Sequence, residues 1–194
     1  MNNLITRFQT LIDFRRKIGQ PVEQYFLPGL SRQYLQEKIS QYPFYFPEEF
    51  MELYTWRNGT KDEDFLMFRD MAWLSLENSI AQYELMMEVF WSEGDNEEIG
   101  LEPEKMFPFA AFTGFNLYLS YPGQRMCPNI ELPIICTGKG ALDPYYDSFT
   151  SMLDTVEEWF KVGKHNEHSC DVEESLEREI WRKHNPEVFR IIGF

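Results

Sequence analysis

The chain has 194 residues, 43% hydrophobic and 16% aromatic, which suffices for one good core but is short for two full domains. Its net charge of -14 has the wrong sign for neutralising nucleic-acid phosphates or for settling on an anionic membrane. No stretch approaches the roughly 18 uninterrupted apolar residues of a membrane span.

In chain order, Leu4, Ile5, Phe8, Leu11, Ile12 and Ile18 recur at helical spacing over 3–18, and Gly19 and Pro21 end the pattern. The sequence "LPGLS" at 27–31 predicts a turn, with Ser31 capping a short helix that buries Leu35 and Ile39. "YPFYF" at 42–46 predicts extended chain, because a residue that precedes proline is pushed out of the helical region. Pro47 fits the first position of the next helix. Glu48 and Glu49 suit its positive end, and Phe50, Leu53 and Tyr54 form its apolar stripe. Asn58-Gly59 then reads as the helix stop, since these residues take the left-handed conformation most easily. The expectation is that Trp56 packs into the core while Asn58-Gly59 reverses the chain into a first strand.

That first strand is predicted at "FLMF", 65–68, with a second in "MAWLSL". A helix follows over 77–91, burying Leu76, Ile80, Tyr83, Met87 and Phe90, and then an acidic loop over 92–104. "FNLYLSY" at 115–121 alternates apolar and polar residues, the cleanest strand signal in the chain. "FPF" at 107–109 is its expected hairpin partner, and "PIICT" at 133–137 a further strand. Ser148 caps a helix carrying Phe149, Met152, Leu153, Val156 and Phe160 on one face. Beyond Gly163 the chain is charged, with Val172, Leu176 and Ile180 spaced for a peripheral C-terminal helix.

The charge is unevenly divided. Residues 1–40 hold Arg7, Arg15, Arg16, Lys17, Arg32 and Lys38 against Asp13, Glu23 and Glu37, so the acidity resides in the remainder. Such a body attracts a basic protein partner and speeds its encounter at low salt. Cys127, Cys136 and Cys170 are scattered, and the N-terminal segment lacks a secretory pattern. Reduced thiols in a cytoplasm are the expectation.

Catalytic signatures are missing. "HNEHSC" at 165–170 offers two imidazoles and a thiol, but in a predicted loop without a fourth ligand, so no metal is expected. "TGKG" at 137–140 lacks the spacing of a phosphate loop, and neither GxSxG nor GxGxxG occurs. No cofactor is expected.

Three features occur in a telling order: the helix led by Pro47 and ending in Trp56-x-Asn58-Gly59, the strand Phe107-Pro108-Phe109, and the late helix opened by Ser148-Phe149. Over about 42–162 the chain resembles the SUKH superfamily, which includes a fungal cell-wall-synthesis regulator and many bacterial toxin-immunity proteins. The resemblance implies an α+β fold, a mostly antiparallel sheet flanked by helices, and a binding role without catalysis. It divides the chain into an N-terminal helical extension (1–41), a SUKH-like core (42–163) and a C-terminal helical tail (164–194), within one globular unit. The function expected is that of a non-enzymatic, immunity-type protein masking a basic partner such as a nuclease toxin. A housekeeping regulatory adaptor is the alternative. Asp62, Glu63 and Asp64, together with Glu93, Asp95, Glu97 and Glu98, are the candidate partner contacts.

Overall fold

The computed structural model describes residues 3–43, 45–61, 65–89, 103–112, 118–122, 133–138 and 141–192. In its first half the chain runs α1 (Asn3–Lys17), β1 (Phe26–Pro28), α2 (Arg32–Ile39), α3 (Glu48–Trp56), β2 (Arg57–Thr60), β3 (Met71–Trp73) and α4 (Leu76–Val89). The second half runs β4 (Met106–Phe112), β5 (Tyr118–Pro122), β6 (Ile134–Gly138), β7 (Ala141–Tyr146), α5 (Phe149–Val162), β8 (Lys164–His165), β9 (Cys170–Asp171), α6 (Glu174–His184) and α7 (Pro186–Ile192). Strands β3 to β7 form one antiparallel sheet in sequence order, and β1–β2 and β8–β9 are small separate pairs. The chain is therefore α+β, as the resemblance implies.

The main core is aromatic. Phe107 and Phe109 of β4 face it; a register shift between Pro108 and Ala110 then lets Ala110 and Phe112 face it too. The Phe149 ring lies 5.0 Å from Phe109, 5.5 Å from Phe50 and 5.9 Å from Phe8, which joins sheet, α3, α5 and α1 through one tilted, one edge and one stacked contact. A small second cluster of Leu74, Met86 and Tyr118 has Ala111 packed against it. Helix α5 opens with a capping box in which Ser148 and Ser151 satisfy each other's backbone N–H.

Both terminal segments contribute to the main core: Leu4, Phe8, Leu11 and Ile12 from α1, and Cys170, Val172 and Ile180 from the last third. Their junction is a buried cation. Arg15 is fully buried, its guanidinium 4.3 Å from the Phe65 ring centre and 4.6 Å from that of Phe160. It donates to the carbonyls of Leu66 (3.0 Å), Met67 (3.2 Å) and His168 (2.7 Å), and to the Gln20 side-chain oxygen (2.5 Å). Gln20 in turn donates to the carbonyls of Asn166 and Ser169. Burial lowers the Arg15 pKa to about 9, yet the group stays charged at neutral pH because a full set of acceptors replaces its water. Arg7 of the same helix pairs with Asp154 of α5.

Several local expectations are overturned. Residues 65–68 form a turn instead of a strand, because the carbonyls of Leu66 and Met67 are taken by Arg15 and Phe68 N–H closes onto the Met71 carbonyl. The chain does not turn at Asn58-Gly59, which lies within β2, paired with β1 where "LPGLS" suggests only a turn. Strand β7 was not foreseen; it contains Pro144 and stands at the sheet edge, where proline is tolerated. The stretch "HNEHSC" is a short β8–β9 hairpin, and α7 adds a second C-terminal helix. Pro47 is the N-cap of α3, one position before its first turn. Of the strand expected over 115–121, residues 115–117 lie outside the described residues, as do 90–91 of the predicted helix and the whole of the acidic loop before Pro103.

Candidate functional site

The segment Tyr54–Thr60 clasps the junction between β3 and α4. Tyr54 donates its hydroxyl to the Leu74 carbonyl (3.3 Å), and Thr60 donates to the Trp73 carbonyl (2.9 Å). Asn58 is buried, and its side-chain oxygen accepts the N–H of Leu76, the first residue of α4 (2.8 Å). Its amide nitrogen donates to Glu77 (2.9 Å), which fixes the orientation of the amide. Asn58 thus caps a helix 18 residues further along the chain, assisted by Ser75, whose hydroxyl accepts from Asn78 N–H. Gly59 adopts φ +73, and a Cβ there would lie 2.4 Å from the Leu74 carbonyl oxygen.

Trp56 is half-buried at the edge of the core, 6.4 Å from the Phe8 ring, with the Arg57 guanidinium over its outer face. Pro47, Phe107, Pro108, Phe109, Ser148 and Phe149 serve the same framework: a helix start, a bulged core strand and a capped helix. Asn58→Ala is expected to cost about 1–2 kcal/mol in chemical denaturation, the range for a lost helix cap. Asn58→Asp keeps the acceptor but sets a carboxylate against Glu77, so it should not restore full stability.

Beside this clasp lies a shallow cleft of about 180 Å³ between α2 and the start of α4, lined by Tyr34, Lys38, Gln41, Tyr42, Glu77 and Ile80, among others. Its rim is acidic. Tyr34 and Asn58 hold the two oxygens of Glu77, and Tyr42 donates to Glu84 (2.7 Å). The bond to Glu84, with burial second, pushes the Tyr42 phenol up to about 12, so it acts as a neutral donor. Carboxylates held this way are fixed acceptors for an incoming cation. Burial pushes the Cys136 thiol up to about 11 and Cys170 up to about 12, which leaves both protonated at neutral pH. Among the described residues, no group of three or more His, Cys, Asp or Glu could hold a metal ion.

The seven acids expected to meet a partner, Asp62, Glu63, Asp64, Glu93, Asp95, Glu97 and Glu98, lie outside the described residues. Glu77 and Glu84 were not singled out from sequence. Their positions on the exposed side of an amphipathic helix gave no sign that α2 supplies them with phenol donors.

A family model described as SMI1 / KNR4 family (SUKH-1) matches residues 29–155, about two-thirds of the chain. The chain belongs to the SMI1/KNR4 family. The SUKH-1 match begins at Gly29 and runs into α5, so it contains the Asn58 clasp, the β4 strand and the Ser148 cap. At Gly29 a Cβ would lie 1.8 Å from the Thr55 carbonyl oxygen, so the chain enters the matched region by touching α3 backbone to backbone. At family level, SUKH-1 membership carries a protein-binding role of the immunity or regulatory kind, generally without catalysis. No curated protein matches the chain by sequence. Among the described residues, no helix is long and apolar enough to cross a membrane.

Proposed function

We propose that this SUKH-1 protein is an immunity-type binding protein that masks a basic partner, such as a nuclease toxin, in the cytoplasm and catalyses nothing itself. The observation that carries the reading is the charge: -14 overall, in a family whose members bind proteins. That figure already includes the basic N-terminal segment, most of whose arginines are buried or paired and so present no free basic face. Arg15 is buried, Arg7 pairs with Asp154, Arg16 with Asp13 and Glu23, and Arg32 with Glu48. In this reading the clasp and the capped helices form the framework, residues 42–163 form the SUKH-like core, and residues 1–41 and 164–194 extend it. Asp62, Glu63, Asp64, Glu93, Asp95, Glu97 and Glu98 steer the partner, and desolvated aromatic anchors supply most of the affinity.

Charge reversal tests the steering. With the partner recovered by affinity capture, a variant carrying Lys at these seven positions should associate at least about tenfold more slowly at low salt, with the difference shrinking as salt rises. An unchanged association rate would remove these residues from the interface.

A further inference from the structure

A second concavity, of about 300 Å³, lies between β7, α5 and α6 and is lined by Tyr145, Trp159, Glu177, Arg178, Trp181 and Arg182. All but Tyr145 stand beyond residue 155, so the C-terminal addition to the family-matched region builds most of it. Both indole N–H groups are used internally: Trp159 donates to the Glu177 carbonyl (3.3 Å) and Trp181 to the Tyr145 carbonyl (3.0 Å). The rings are thereby fixed: Trp159, 3% exposed, closes the bottom of the cleft, and the half-buried Trp181 and Tyr145 offer apolar surface in place of donors.

The charges of the cleft are unlike those of the molecule as a whole. The single acid in its lining, Glu177, has both oxygens bound by Arg69, at 2.5 and 2.8 Å, and Asp70 pairs with the same guanidinium at 3.0 Å. Arg69 also lies 4.9 Å above Trp159, so a cationic occupant would find that ring face taken. Among the described residues Arg178 is tied to Glu174 alone, in an exposed pair of the kind that exchanges partners readily. Arg182 rests on the Phe189 ring, and no carboxylate among the described residues pairs with it. Two exposed guanidinium groups one helical turn apart thus stand over a floor of Trp and Tyr, the side chains that most often anchor protein interfaces.

We propose that this cleft is a docking site for an acidic peptide segment of a protein partner, whose apolar side chain rests against Tyr145 and Trp181 above the buried Trp159 while its carboxylates meet Arg178 and Arg182. The inference goes beyond the masking of a basic partner, since it concerns another surface and the opposite charge.

The test is a titration of the full chain with an acetylated nine-residue peptide bearing a central Leu-Phe pair between runs of Asp and Glu. The readout is the indole N–H resonances of Trp159 and Trp181. Saturable shifts with Kd below about 1 mM are expected, together with a loss of about tenfold or more in affinity for Arg182→Glu and for Arg178→Glu. Both side chains are exposed, and circular dichroism verifies that the variants stay folded. Four results would overturn the proposal: no saturable shift, an equal response to a peptide with Lys in place of the acids, undiminished binding by both variants, or shifts that depend on protein concentration without peptide. The last would assign the cleft to a second copy of the chain.

Discussion

Arg15→Leu is expected to lower the unfolding free energy by about 3–5 kcal/mol, among the largest single effects in the molecule. The substitution leaves the carbonyls of Leu66, Met67 and His168 and the Gln20 oxygen without their donor, and an apolar side chain cannot replace it. Cavity formation between Phe65 and Phe160 adds to the loss. Arg15→Lys should recover only part of it, since an ammonium lacks the planar fork that reaches several acceptors while stacked between two rings. Urea denaturation of the three proteins measures this directly. A change below about 1 kcal/mol for the Leu variant would mean that the junction between α1, residues 65–68 and the β8–β9 hairpin contributes little to stability.

The second large effect is expected at Gly59. Its φ of +73 strains any side chain, and the Leu74 carbonyl stands where a Cβ would go. Left-handed strain of about 1–3 kcal/mol and a backbone clash of similar size should together cost Gly59→Val about 2–6 kcal/mol. Because the clash is with the residues leading into α4, the loss should appear as an early loosening of that helix. Hydrogen exchange of amides in α4 would register it. Amides of α4 as protected in the variant as in the parent would contradict the clasp.

How much of this was legible in advance depended on how far each cause lies from its effect along the chain. The helices around Phe8, Leu53 and Phe160 were readable because their apolar spacing is local. The caps at Ser31 and Ser148 were readable for the same reason, since a cap acts within three residues. Asn58-Gly59 was readable as a special backbone position, but not for its use: the cap it provides is for α4, 18 residues away. "FLMF" misled because an apolar run is equally suited to a buried turn when a distant donor takes its carbonyls. Arg15 stands in the run Arg15-Arg16-Lys17, and although its spacing from Leu11 and Ile12 sets it on the apolar face of α1, the carbonyls that accept from it lie 51 to 153 residues away and were not readable. Of the site, the acidity was evident from composition. The pairing of Glu77 with Tyr34 and of Glu84 with Tyr42 required the packing of α2 against the rest.

The central claim, that an acidic SUKH-1 protein works by holding a basic protein, is tested most directly by affinity capture from the native cell lysate at about 50 mM and about 300 mM salt, with mass spectrometry of the retained proteins. The account predicts one predominant basic protein, retained at the lower salt and weakened at the higher. Retention of several unrelated regulators with no basic predominance would contradict masking and assign the chain to the adaptor role. Recovery of no specific protein at either salt would contradict the claim altogether.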